Sequence, residues 1–411
     1  MPPLRLYFEF DDTYRNGLSQ DNINYISQTV GSDPDIFFHV NSLFSEPFGR
    51  AKGTYWVPHS PDQFYFYPIS CEYPLKHFAD RNLSGYALIQ VPDNVVDDCV
   101  NGKAGIIIYD NWESESWTDY MRMILDVCEN NPRLRVEHFI IVSGNLNPIP
   151  NLPYKHVSQM WFQSIDQESD INAIIEDIKS LRTRPHKFIM MARRPSQGRL
   201  AMVYKMWDYR NDGLMSFDLG EQPNADFILR HLPACLPNYS QAKLSKIRKE
   251  LPLVLDDGLD VKSNPVHDHS FDKFLNSSLH IVNETFYGDQ HKHQRMFFSE
   301  KTFKPIQMLQ PFVMYNYPRS LEFLRQEGYQ TFDKWIDESY DLIEDIPTRI
   351  NAVTDAAKDF ISKTPEEMAV VMKDMLPVLK HNARHRAKNV RKMDEELLYK
   401  IVNTFHGYDN E

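Results

Sequence analysis

Glu300 and Lys301 stand side by side in the segment Phe297-Phe-Ser-Glu-Lys-Thr-Phe-Lys-Pro305, an acid and a base where a helix is predicted to begin. The helix is read over residues 300–309, and an apolar strand over 311–315 follows directly. That order sets a carboxylate and an ammonium at the carboxyl edge of an α/β sheet, where open sheets bind their ligands. A helix N-terminus with a lysine beside it suits a diphosphate, and a neighbouring carboxylate can accept a ribose hydroxyl. Taken alone, an acid–base pair of this kind is also what a solvated helix start presents. The segments around it narrow the choice.

Three pieces resemble the donor-binding half of α1,3-fucosyltransferases and related viral (phage) glycosyltransferases of the GT-B fold. Ile281-Val-Asn-Glu-Thr285 is similar to that family's apolar strand ending in a glutamate. Phe298-Ser-Glu-Lys301 matches its Thr-Glu-Lys signature, with serine in place of threonine. Lys187-Phe-Ile-Met-Met-Ala-Arg-Arg-Pro-Ser-Gln-Gly-Arg199 is similar to a strand and loop leading to an arginine at a helix start. The likeness covers residues 185–350, and through 320–341 it is nearer to viral proteins than to cellular fucosyltransferases. It implies an arginine on the donor phosphates and a Glu-Lys pair on the ribose and diphosphate. The segment after Glu284 is longer than the family pattern, and Phe297 stands where that pattern has tyrosine, so sugar and base identity stay open.

Glycosyl transfer needs the leaving diphosphate neutralised, the donor oriented and the acceptor hydroxyl deprotonated. Cationic side chains and helix dipoles can supply the first without a metal. Arg199 and Lys301 are the residues expected to do so, with Arg193 and Arg194 as further donor contacts. Glu284 and Glu300 are assigned to donor orientation. Lys304 is read as a solvated residue one turn on. The general base is expected from the other domain, at the end of the apolar strand 105–110, where Asp110, Glu113 and Glu115 cluster. Glu113 is the first choice. Asp33-Pro-Asp35 precedes a predicted strand instead of ending one, and His267-Asp-His269 and His291-Lys-His293 read as loop histidines, so no metal is assigned. With 15 glycines and no Gly-x-Gly-x-x-Gly or Walker loop, nicotinamide and ATP chemistry are disfavoured.

The positioning elements follow from length and pattern. A chain of 411 residues is expected to form two domains. Strands are predicted at 4–10, 35–40, 86–91, 105–110, 139–143 and 157–162, then at 187–191, with helices between, notably 117–130 and 170–181. The aromatic, proline-rich segment 45–74 shows no periodicity and reads as a loop at an acceptor site or as an irregular cover on the core. Beyond residue 341 the pattern is helical through 350–361, 365–381 and 382–406. The expected architecture is α/β: GT-B, two facing Rossmann-like doubly wound domains over 1–184 and 185–363, with a helical tail over 364–411.

A net charge of -12 opposes general nucleic-acid binding but permits a local basic surface. One is spelled by Lys380, Arg384, Arg386, Lys388, Arg391 and Lys392, readable as a solvated helix face or as a contact to DNA phosphates. Four scattered cysteines signal neither zinc nor a disulfide framework. The start of the chain lacks a signal-peptide core, and no apolar run reaches membrane-spanning length, so a cytoplasmic location in a bacterium or infected cell is expected. Together these features predict a nucleotide-sugar-dependent glycosyltransferase, inverting and metal-independent, with no cofactor beyond its co-substrate. The acceptor reads as a 5-hydroxymethylpyrimidine of phage DNA or as a surface glycan. A catalytically inactive carbohydrate-binding or structural viral protein is the reading of a different class.

Overall fold

The computed structural model describes residues 64–70, 91–110, 117–146, 151–160, 163, 170–192, 195–220, 224–255, 271–284 and 296–407. These form an α/β protein of two compact units, each with its own parallel sheet. Residues 163–284 and 296–390 belong to the second unit, and residues 391–407 group with the first. The division thus falls ahead of the helix Ile171–Lys179, which belongs to the second unit, whereas composition placed it after residue 184.

The first unit carries β1 (Tyr65–Ser70), α1 (Asp93–Val100), β2 (Ala104–Asp110), α2 (Trp117–Asn130), β3 (Phe139–Ser143) and β4 (Lys155–Ser158). Its strands are ordered β1-β2-β3-β4 and all pair in parallel, with Ile106 opposite Phe139 and Ile140 opposite Lys155. Ile106 to Ile108 and Phe139 to Val142 have no exposed surface, the signature of a sheet covered on both faces. Tyr120, Met123, Ile124 and Val127 of α2 pack into this core. Gly105 is needed for close approach: a Cβ there would lie 2.5 Å from the Phe405 ring, which stacks edge-on against Phe66.

β1 lies within the stretch expected to be irregular. Pro68 hides it in the sequence, because proline cannot donate to a ladder; among the described strands β1 stands at the edge, where proline is tolerated. β4 begins two residues earlier than expected. The predicted strands at 4–10 and 35–40 lie outside the described residues.

The second unit runs α3 (Ile171–Lys179), β5 (His186–Ala192), α4 (Gln197–Met206), β6 (Gly213–Phe217), α5 (Asn224–Cys235), α6 (Gln241–Glu250), α7 (Phe271–Leu275), β7 (Ser277–Asn283), α8 (Glu300–Gln307), β8 (Phe312–Tyr315), α9 (Ser320–Gln326), α10 (Ile346–Ile361) and the part of α11 (Pro365–His406) up to Val390. Its parallel sheet is ordered β6-β5-β7-β8. The chain leaves β5 to one side to form β6, then returns past it to form β7. The carboxyl ends of β5 and β7 therefore flank a topological switch point, where open α/β sheets take ligands.

Side-chain oxygens start the helices: Asp170, Ser196, Ser240 and Asp345 each accept a backbone N–H of the first turn, and Asp345 sets the start of α10 at Ile346, four residues ahead of the expected 350. Gly328 closes α9 with φ +90, a left-handed cap that glycine adopts without strain. α11 is one continuous helix, not two. Asn382, which reads as a break, turns its amide outward to bridge both backbone groups of Gln330 at 2.8 Å, leaving the ladder intact. Cys99 and Cys235 are buried free thiols. Among the described residues no helix is long and apolar enough to cross a membrane.

Candidate functional site

Four of the residues singled out from sequence converge on the switch point. Arg199 sits in the first turn of α4, directly after β5. Ser196, one turn earlier, caps the helix by accepting the Arg199 backbone N–H at 3.3 Å. α4 is apolar almost all round and buried along its length, so its arginine is carried inward and is only 2% exposed. The guanidinium Nη2 donates to the backbone carbonyl of Asn283 at 3.3 Å, joining the end of β5 to the end of β7.

Glu284, the next residue, is fully buried. Its Oε1 accepts the Ser299 backbone N–H at 3.0 Å and the Thr302 hydroxyl at 2.6 Å, and its Oε2 accepts the Ser299 hydroxyl at 2.6 Å. The carboxylate thus satisfies the first turn of α8, a region with orphan N–H donors and a positive dipole end. Glu284 was expected to orient a donor; in the structure what it orients is α8, and with it Glu300 and Lys301.

Ser299 is the N-cap of α8, and its hydroxyl oxygen accepts the Lys301 backbone N–H at 3.2 Å. Lys301 Nζ lies 2.8 Å from Glu300 Oε1 and 3.2 Å from Ser299 Oγ, both side chains of the pair being 19% exposed. Burial alone would push the Glu300 carboxyl up. The charges of Lys301 and Lys304, with hydrogen bonds from Lys301 and from its own backbone N–H, outweigh burial and bring it down to about 2. It is a fixed anion at neutral pH, suited to accept a hydroxyl and unsuited to proton transfer. Lys304 is therefore more than the solvated residue expected: its charge acts on Glu300 and on His280 beneath.

Asn283 is a feature that the sequence reading passed over. Its side chain has no exposed surface, and neither its amide nitrogen nor its oxygen is hydrogen-bonded among the described residues. A buried unsatisfied amide is costly, and here it stands at the carboxyl end of β7. It offers one donor and one acceptor at the place where the fold expects a polar ligand. Ser299 and Thr302 were also missed as site residues. The signal for Ser299 was present, a serine just ahead of a helix, but its link to Glu284 was not.

Arg193, Arg194, Glu113 and Glu115 lie outside the described residues, as do Asp33, Asp35, His267, His269, His291 and His293. Asp110 ends β2 as expected; it is buried and accepts the Tyr120 hydroxyl at 2.6 Å. Beside it, Ser143 Oγ is 2.9 Å from His156 Nε2, and the Trp117 ring stands edge-on to the imidazole. Burial lowers His156 to about 3, too weak a base to accept a proton from a sugar or hydroxymethyl group near neutral pH. Among the described residues no group of His, Cys, Asp or Glu is arranged to hold a metal ion.

Searches of protein-family models and of curated proteins found no match to this chain.

Proposed function

We propose that the second unit binds a nucleoside-diphosphate sugar at its switch point, and that the protein is a glycosyltransferase of the GT-B type. The observation that carries this reading is the junction at the ends of β5 and β7, where Arg199 bonds Asn283 and Glu284 bonds the first turn bearing Glu300 and Lys301. One buried cation, one half-buried cation and the N-terminus of α8 are drawn together by two adjacent residues. Such a set fits an anion that gains charge as its sugar departs. Arg199 and Lys301 neutralise the leaving diphosphate, with Arg193 and Arg194 as further contacts. Glu300, already ionised, exchanges part of its bond with Lys301 for a ribose hydroxyl. The Asn283 amide supplies one polar contact to the donor or to its ordered water.

In the inverting course the acceptor hydroxyl attacks the anomeric carbon as the bond to the diphosphate breaks. Its proton passes to a carboxylate, assigned to Glu113 after β2. Charge stabilisation by two cations and a helix dipole makes a metal unnecessary to this scheme. The test is calorimetry with nucleoside diphosphates, followed by incubation with a panel of nucleotide sugars and assay of slow hydrolysis. Saturable binding that Lys301→Ala weakens is expected. Absence of binding by every nucleotide would overturn the reading.

A further inference from the structure

A second cationic site lies away from the switch point, on α11. Lys373, Lys380, Arg384 and Lys388 recur at spacings of seven, four and four, so they share one helix face over about 22 Å. With Lys179 of α3 they line a groove of about 740 Å3. Among the described residues no carboxylate lines it. Lys179 is paired with Glu176 at 2.7 Å, whereas these four cations of α11 make no ion pair among the described residues. Elsewhere Lys334, Lys358 and Lys363 each sit within 4 Å of an acid. Like charges four residues apart repel on a helix, and an anion in the groove would relieve that repulsion.

The groove is also rigid. His381 Nε2 donates to the Gly328 carbonyl at 2.9 Å and His385 Nε2 to the Glu327 carbonyl at 2.7 Å, with their rings stacked. Gly328 is required there, because a Cβ would meet the His385 ring at 2.8 Å. These bonds tie α11 to the end of α9, so the cations stand on a fixed support. Arg386, which the sequence groups with them, is buried and faces the other way.

We propose that this groove holds the phosphodiester backbone of duplex DNA. Lysines and an arginine in a row along one helix face complement a line of phosphates, and the row is too long for a single phosphate group. The proposal names the acceptor class for the glycosyltransferase reading and rests on that reading for its role, though not for the binding itself.

The experiment uses the full chain and a fluorescent duplex, with anisotropy measured across a salt series. Four phosphate contacts give a slope of log affinity against log salt of about -4. The variant Lys373→Glu/Arg384→Glu/Lys388→Glu, all exposed positions, is expected to lose at least about tenfold in affinity and most of the slope. The control Lys246→Glu/Arg248→Glu/Lys249→Glu on α6 makes the same change in net charge and is expected to bind as the parent does. Equal binding by the two triples, or no binding by the parent, would overturn the proposal. Capture by phosphatidylserine vesicles without capture by duplex would overturn it too, and assign the groove to a lipid surface. Nucleoside-diphosphate affinity, measured in parallel by calorimetry, separates the two readings. Its loss with duplex binding intact defeats the transferase, and the converse defeats the groove.

Discussion

The Ser299 hydroxyl donates to the Glu284 carboxylate at 2.6 Å, across fifteen residues of chain, while its backbone N–H reaches the other carboxylate oxygen at 3.0 Å. Through this pair the end of β7 sets the position of α8. Ser299→Ala is expected to cost about 1–2 kcal/mol of stability, because it removes a cap and a buried donor at once. It should also weaken nucleotide binding, since Lys301 loses its neighbouring oxygen. Urea denaturation and calorimetry measure the two effects. Unchanged stability would show that Glu284 finds other donors.

Lys301→Ala and Arg199→Lys are each expected to lower turnover on the order of 10²-fold, by removing charge or its geometry from the leaving diphosphate. Arg199 is buried, so lysine is used to retain the charge and much of the volume, and the melting temperature is read alongside. Near-normal turnover with weakened donor affinity in both would reassign these residues to ground-state binding.

Because Glu300 is held down to about 2, nucleotide affinity is expected to show no titration from this group between pH 5 and 8. The sign for stability follows from its lowered value. The contribution is complete above the unfolded carboxylate range and is lost as pH falls toward 2. Glu300→Gln should cost roughly 1.5–3 kcal/mol in donor affinity, the worth of a charge-assisted hydrogen bond. Calorimetry showing unchanged binding would make Glu300 structural.

His280 lies wholly buried in β7. Burial, and then the nearby Lys304 charge, lower it to about 3, with Lys301 acting the same way and the Gln310 side chain opposing. The unfolded chain takes up this proton near pH 6.5, whereas the folded chain resists it. Stability should therefore fall as pH drops below about 6.5, by about 1.4 kcal/mol per pH unit from this group. Urea midpoints of the parent and of His280→Asn test this. Parallel pH profiles would exclude His280 as the source.

EDTA is expected to leave the sugar-transfer rate intact, since Arg199, Lys301 and the α8 dipole supply the charge stabilisation. Loss of activity restored by manganese would require a metal in the scheme.

Much of the described part of both units was legible from local pattern. The continuous apolar runs at β2, β3 and β7, and the capping serines and aspartates, fix strands and helix starts through propensities that act over a few residues. The Glu300-Lys301 pair at a helix start was legible for the same reason. What the tertiary structure decided are relations between distant residues. Glu284 satisfies Ser299 because β7 and α8 pack together, and no spacing rule encodes that bond. Arg199 is buried because every side of α4 is covered, which a single charged residue in the sequence does not reveal. Pro68 sits in a strand that stands at the edge among the described ones, and Asn382 leaves α11 unbroken because Gln330 takes its amide. The basic run of α11 was visible as a run. Which members share an unpaired face with Lys179, and which one turns inward, depended on the packing of α11 against the end of α9.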